Sequence, residues 1–560
     1  MNLRFVTILV VSFAASAQVV AQTALPLKHA PSPTGPAITA ADLMTRLYIF
    51  ADDSMLGREA GTSGNVKGTD YIAAEAKRLG LIPAGDSGTY FQTIPLKTRT
   101  LDTTSMVVVA GSLLKIFADY LPTGGDSLVG PVLPVVFGGT IGDTAHMIAP
   151  DAADGKVVVF LPRAGNNIRA VRLGDVGRRA AAVLIAALDS IPARFIGFFR
   201  GPRTFVDDNI QPTAPSILVT RAVAAKLFAA PLDSLTPGAA GGKLAAAIRY
   251  TVAPVASPAR NVVGIVRGSD PALAGEYVAL GGHNDHLGVG RPVDHDSIRI
   301  WNHVVRPEGA DDGGKQATPA QQALVDSLLA LDRKAHPGAD HADSIYNGAD
   351  DDGSGSVSVL ELAEYFATMK VKPRRSLLFV WHVGEEKGLL GSRFFTDHPT
   401  VPRDSIVAQL NLDMVGRGDA ADETGRTKDS VPLHGSPTYL QLVGSRRLST
   451  ELGDLVEKVN KDGHHNLTFD YAIDADGHPS NIYCRSDHYE YARYGIPITF
   501  FTTGLHSDYH QVTDEPQYID YQKLQTVAQF VYDVAVAVAN LDHRVVVDKP
   551  KPDPHGNCVQ

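Results

Sequence analysis

The chain has 560 residues, more than one ordinary domain holds, so two or more are expected. Hydrophobic residues make up 44% and charged residues 20%, the balance of a folded globular protein rather than a disordered or fibrous one. The formal net charge is -10 and no basic block stands out, which argues against nucleic acid as a partner.

Arg4 precedes an apolar run from Phe5 to Phe13, and the small-residue sites Ala15-Ser16-Ala17 and Val19-Val20-Ala21 follow. That is the layout of a secretory signal peptide over residues 1–21, too short for a comfortable membrane span. An exported protein, periplasmic or secreted, is expected, with no membrane insertion after signal removal. Its two cysteines, Cys484 and Cys558, allow one bridge or two free thiols.

A Pro-rich linker runs to Pro36. Residues 37–100 read as helical, with Asp42 as the cap of a helix carrying Leu43, Leu47 and Phe50. A second helix is expected around Tyr71 to Leu79, stopped by Gly80. From 101 to 255 short β-branched runs alternate with turns. Lys156 to Phe160 reads as a buried strand and Ala180 to Ala187 as another apolar element. This block has no His and acid residues at metal-ligand spacing and predicts a separate α+β domain inserted into a larger one.

Residues 256–545 alternate apolar strands with helices, which predicts an α/β domain with a mixed, mostly parallel sheet flanked by helices. Polar residues from Gly290 to Ser344 interrupt it as an excursion near the site. One amphipathic helix there presents Leu324, Leu328 and Leu331 on a single face. Tyr518 to Leu541 reads as a long closing helix. The tail 546–560, with Pro550, Pro552 and Pro554, reads as disordered.

Four predicted strands each lead into potential ligands. Glu276 to Leu280 precedes His283, Asp285 and His286, and Ser376 to His382 precedes Glu385 and Glu386. Ile406 to Leu412 leads into Asp413, and Ile496 to Thr502 leads toward His506, Tyr509 and His510. Asp350-Asp351-Asp352 stands before a further helix. Ligands in open α/β sheets bind outside the carboxyl ends of the strands, so these residues are expected to converge. Mixed His and carboxylate donors suit zinc, and a carboxylate shared by two ions ~3.5–4 Å apart makes a two-metal hydrolytic site. Each piece alone has a plainer reading, since acids before a helix serve its dipole. A calcium loop centred on Gly353 fails, because Gly348 and Val359 stand where acids are needed. No G-x-S-x-G occurs, which removes the commonest serine-hydrolase elbow.

The stretch from Asn261 to Leu541 resembles the M28 family of zinc exopeptidases. The resemblance rests on Gly282-His283-Asn284-Asp285-His286-Leu287-Gly288, Gly348-Ala349-Asp350-Asp351-Asp352-Gly353-Ser354-Gly355 and Gly384-Glu385-Glu386-Lys387-Gly388. It continues through Asn411-Leu412-Asp413-Met414 and Tyr509-His510. It implies the zinc-exopeptidase fold, peptide substrates and two Zn2+ ions per chain. Asp351 would be the bridging carboxylate, His283 and Asp413 would complete one metal site, and Glu386 and His510 the other. Glu385 would be the general base, Asp285 would orient His283, and Tyr509 would help polarise the scissile carbonyl. The inserted block 101–255 looks like the protease-associated domain of many members. Asp352 stands where the family more often has Asn, and the segment between His283 and Asp351 is long. A metallo-aminopeptidase is the expected activity. The rivals are a carboxypeptidase or amidohydrolase on the same metals, a single-zinc glutaminyl-cyclase-like acyltransferase, and a non-catalytic binding protein. The sequence fixes neither side-chain preference nor oligomeric state.

Overall fold

The computed structural model describes residues 28–560 apart from 131, 163–173, 192–195, 198, 209–213, 229, 338–341, 419–435 and 557. The signal-peptide pattern of residues 1–21 lies outside them. The α/β class read from the sequence is the observed one. A nine-stranded mixed sheet is built around four parallel strands, in the order Ser376–His382, Tyr277–His283, Ile406–Leu412 and Ile498–Thr502. Antiparallel strands Ala259–Val266 and Tyr439–Val443 extend it on either side. The parallel strands therefore end on one edge. His283 pairs with His382 in the last register of that edge.

Both faces of the sheet are covered, which is why its strands are runs of apolar residues rather than alternating ones. Leu377, Phe379 and Trp381 pack into a core with helices Ala40–Phe50, Gly355–Thr368 and Tyr521–Ala539. Their neighbours Leu378 and Val380 point the other way, toward Phe395, Tyr491 and Ile496. Each such fully buried Leu or Phe contributes about 1.5–3 kcal/mol. Arg46, fully buried, ties the first helix to this core through Glu361 at 2.8 Å, Glu75 at 2.9 Å and Glu364.

A second nine-stranded sheet is drawn from residues between Met106 and Ile248, with Leu133–Thr140, Val157–Leu161, Ala182–Ala186 and Ser216–Val219 at its centre. It has its own apolar clusters on both faces.

Several local expectations are corrected. Thr39, not Asp42, caps the first helix: Thr39 has extended φ/ψ and its hydroxyl accepts the Asp42 N–H at 3.1 Å, a contribution of about 1 kcal/mol. The second helix begins at Ser63 and ends at Arg78. Gly64, in its first turn, is there for space, since a Cβ would lie 2.2 Å from the Met55 carbonyl oxygen. The tail's described residues, 546–556 and 558–560, are held in place rather than disordered. A disulfide joins Cys558 to Cys484, Arg493 donates to the Pro554 carbonyl at 2.8 Å, and Gln560 is buried. Prolines there make extended chain, and these attachments hold it.

The excursion leaves the domain on an antiparallel stem, Gly288–Asp294 against Ala342–Tyr346, and carries helices His295–Val305 and Pro319–Ala335. The expected leucine face of the second helix is turned outward: Leu324 is 50% and Leu331 65% exposed, and the helix seats itself through Val325. A 3.6-residue period finds an apolar stripe but not which residue the neighbours bury. The first helix docks on the loop that carries His510. His295 binds Asp296 at 2.9 Å and Glu515 at 2.8 Å, and the Arg299 guanidinium lies 3.8 Å from the Tyr518 ring centroid.

Burial alone would lower the His295 pKa, but the hydrogen bonds to Glu515 and Asp296 raise it from 6.5 to about 9. A raised pKa in the folded state stabilises the docked helix fully below the unfolded value and loses that contribution as pH rises through about 9. Hydrogen exchange across residues 295–305, corrected for intrinsic rates, is expected to accelerate between about pH 7 and pH 10 in the parent but not in His295→Gln. The same pH dependence in both proteins would show that His295 does not hold the docked helix.

Candidate metal centre

His283 is the last residue of its strand. Its N–H donates to Asp352 Oδ2 at 2.9 Å and its carbonyl accepts the Ser356 hydroxyl at 2.5 Å, so the backbone is fixed. Nδ1 lies 3.0 Å from the Asp285 carbonyl oxygen, which turns Nε2 inward. That atom lies 3.2 Å from Asp351 Oδ1 and 3.7 Å from Asp413 Oδ1.

Asp351 precedes helix Gly355–Thr368. Its N–H donates to Asp514 Oδ2 at 3.0 Å, as does that of Asp350 at 3.1 Å. Its second oxygen, Oδ2, lies 3.0 Å from His510 Nε2. The two oxygens of one carboxylate thus face two different ligand groups. Glu386 completes the second group, with Oε2 at 3.0 Å from His510 Nε2 and Oε1 at 2.7 Å from His286 Nδ1. Burial would raise the Asp351 carboxyl, but the facing imidazoles of His283 and His510 hold it well below the usual range. Burial works the same way on Glu386, and chiefly the charge of His510 brings it down to about 2.

Glu385 shares the turn with Glu386 and lines the same cavity. Burial pushes its pKa well up, and the neighbouring acids Glu386, Asp413 and Asp487 add to this against the pull of His283. Asp285 has two attachments. Beside its carbonyl contact to His283, its carboxylate accepts the N–H groups of Gly384 at 2.7 Å and Glu385 at 3.2 Å. One residue therefore fixes both the histidine and the turn that carries Glu385. Tyr509 stacks on the His510 ring at 4.0 Å between centroids, and its hydroxyl accepts from Arg485 at 3.3 Å.

The structure thus brings His283, Asp351, Glu386, Asp413 and His510 together, with Glu385, Asp285 and Tyr509 beside them. His286 is drawn into the cluster rather than into apolar packing. His506 is turned away, to Asp350 Oδ2 at 3.2 Å. Asp352, the departure noted in the sequence, is a brace. Its oxygens accept N–H bonds from His283 and Gly355, both at 2.9 Å. Ser486 was not legible in the sequence. Its hydroxyl donates to Asp413 Oδ2 at 2.7 Å and orients Oδ1 toward His283. Asp514 was missed too, although its position four residues after His510 was a usable signal.

The residues fit a divalent metal. His283 Nε2, Asp351 Oδ2 and Glu386 Oε1 are buried and engaged by no hydrogen bond, an arrangement that cations satisfy. Donor atoms of His283, Asp352 and Asp413 lie within 4.8 Å of one another, and so do those of His286, Asp351 and Glu386. Imidazole and carboxylate together are a zinc-type donor set. The cavity that reaches them has a volume of about 470 Å³ and is open to solvent. Asp351, Glu385, Asp413 and His510 form its polar end, and Met414, Ile473, Ile482, Phe500 and Leu505 its apolar wall.

Residues 335–535 match the model of Peptidase family M28. That span contains Asp351, Glu385, Glu386, Asp413, Tyr509 and His510, while His283 and Asp285 precede it. The chain is 28% identical over 202 residues to leucine aminopeptidase 1 of Aspergillus oryzae, covering 34% of this chain and 47% of the relative. It is 39% identical over 79 residues to leupeptin-inactivating enzyme 1 of Streptomyces exfoliatus, covering 14% and 18%. The chain spans less than half the length of these curated relatives. Among solved structures, it is similar to the aminopeptidase from Aneurinibacillus sp. strain AM-1. The TM-score is 0.47 at 16% identity, over 92% of this chain and 97% of that one.

Proposed function

Residues 335–535 carry a peptidase family M28 domain, and from that premise we propose that the protein is an exported zinc metallopeptidase removing N-terminal residues from peptides. The observation that carries the reading is Asp351, whose two oxygens face His283 and Asp413 on one side and Glu386 and His510 on the other. We assign these five residues to hold two zinc ions, with His286 beside Glu386. Bound there, zinc would supply a lowered pKa for water and polarisation of the peptide carbonyl.

The chain's own residues do the rest. Glu385, buried and with a raised pKa at the cavity floor, accepts the proton of the attacking water and returns it to the leaving amine. Asp285 holds the Glu385 turn by two N–H bonds, so the base keeps its place. Ser486 fixes Asp413. Tyr509, stacked on His510, presents its hydroxyl to the cavity side where Arg485 lies. The acids at the polar end favour a free α-ammonium group on the substrate. A carboxypeptidase would use a cation for the terminal carboxylate, but the cation lining this cavity, Arg485, is paired with Asp311 at 2.7 Å. Export is supported by the pattern in residues 1–21 and by the disulfide, which suits an oxidising compartment. Among the described residues no helix is long and apolar enough to cross a membrane.

The test is amino-acid release from one short peptide offered with a free and with an acetylated N-terminus. Release from the free form only, stopped by a zinc chelator, is the expected result. Cleavage of both forms moves the assignment to an amidohydrolase or carboxypeptidase. Cleavage of neither moves it to a cyclase or a binding protein.

A further inference from the structure

The apolar wall of the cavity has an unusual support. Ile473 and Ile482 belong to a segment, residues 471–484, whose regular structure is two single 3-10 turns, Ala472–Asp474 and Ile482–Cys484. No strand ladder fixes its shape. Arg447 binds Asp474 at 2.6 Å and the Gly444 N–H donates to the same carboxylate at 2.9 Å, which anchors the first turn. Much of the remaining support comes from the far end of the chain. The Gln560 side-chain amide donates to the carbonyls of Ile473 at 2.5 Å and Ala475 at 3.2 Å. Its Oε1 accepts the Tyr483 N–H at 2.8 Å, and its backbone carbonyl accepts the Gly477 N–H at 2.8 Å. Two residues earlier, Cys558 is bonded to Cys484, beside Arg485 and Ser486 of the cavity.

We propose that the described tail residues, 546–556 and 558–560, form a strap that sets the width of the substrate side-chain pocket, with Gln560 and the Cys484–Cys558 bond as its positioning groups. The geometry is specific: one buried amide spans both turns of the wall, reaching the carbonyl of one pocket isoleucine and the N–H that follows the other. Without it, the carbonyls of half-buried Ile473 and exposed Ala475 and the N–H of buried Tyr483 lose their shared partner, and the turns separate. The pocket then holds a large apolar side chain less well, while the candidate metal ligands and Glu385, carried by other segments, stay where they are. The strap is thus a specificity element and not part of the chemistry.

The inference rests on the aminopeptidase reading for its substrate, so the test includes a readout that does not. Full-length, zinc-loaded parent, Gln560→Ala and Cys558→Ser are compared on leucine and alanine p-nitroanilides. KM for the leucine substrate is expected to rise about tenfold in both variants, the worth of roughly one lost hydrogen bond to pocket geometry, with kcat and zinc content held. KM for alanine, which does not reach the wall, is expected to change less. Hydrogen exchange across residues 471–486 is expected to accelerate. Equal KM changes for the two substrates, unchanged exchange, or a fall in kcat that follows zinc loss would overturn the proposal. If the parent releases no residue from either substrate, the activity reading has failed instead. Calorimetric binding of leucine hydroxamate then decides the strap: binding weakened about tenfold in the variants supports it, and equal binding overturns it.

Discussion

Glu385→Ala is expected to lower kcat by about 10²–10⁴-fold while leaving zinc content and KM near those of the parent. The argument is positional. Glu385 and Glu386 are adjacent, yet it is Glu386 that reaches the imidazoles of the cluster, His286 at 2.7 Å and His510 at 3.0 Å. Glu385 is left facing the cavity, and its N–H is held by Asp285 at 3.2 Å. Burial first, then Glu386, Asp413 and Asp487, raise its pKa well above that of an exposed glutamate, as a group that must both take and return a proton requires. Glu385→Gln keeps the shape and removes the base, so it is expected to match the alanine variant. A loss accompanied by departure of zinc would make Glu385 a ligand instead. Activity within tenfold of the parent would remove it from the mechanism.

Much of the candidate metal cluster was legible because several of its members follow strands with clear apolar runs, while Asp351 stands before a helix. His283, Asp413 and the Glu385-Glu386 pair sit within a few residues of three neighbouring parallel strands, and topology alone brings such ends together. His510 was harder, since a loop separates it from Ile498–Thr502. Its neighbour His506 had the same chemistry at helical spacing, and only the fold shows that His506 turns to Asp350. Ser486 could not be read at all. It lies 73 residues from the Asp413 it orients, in a stretch with no motif. The tail failed for a related reason. Its prolines carry a local signal for extended chain, whereas its order comes from Cys484, at a sequence separation of 74, and from carbonyls that Gln560 meets in the folded protein. Local pattern predicts elements and their ends, and long-range satisfaction of polar groups is invisible to it.

Asp351→Ala is expected to have the largest effect on the metal centre, because Asp351 alone faces both ligand groups. Parent protein is expected to hold two zinc ions by elemental analysis, and Asp351→Ala one or none, with peptide hydrolysis lost. Ser486→Ala, which frees Asp413 Oδ2 but keeps every ligand, is expected to weaken zinc binding by only about 10–100-fold. Stripping the parent with a chelator should abolish activity and lower Tm, since ligand at ~1,000 times its Kd stabilises a fold by about 4 kcal/mol. Some of that is offset in the stripped protein. His283 and His510 sit 3.2 and 3.0 Å from Asp351, so protonated imidazoles partly take the place of the cations there. Asp351→Ala removes this substitute along with the bridge, leaving His510 with Glu386 and His283 with the more distant Asp413 at 3.7 Å. The Tm of the variant should then fall less on chelation than that of the parent or of Ser486→Ala, and not at all if it holds no zinc. A chelator-sensitive Tm in Asp351→Ala, with two zinc ions retained, would show that the two ligand groups bind independently and that the carboxylate does not bridge them.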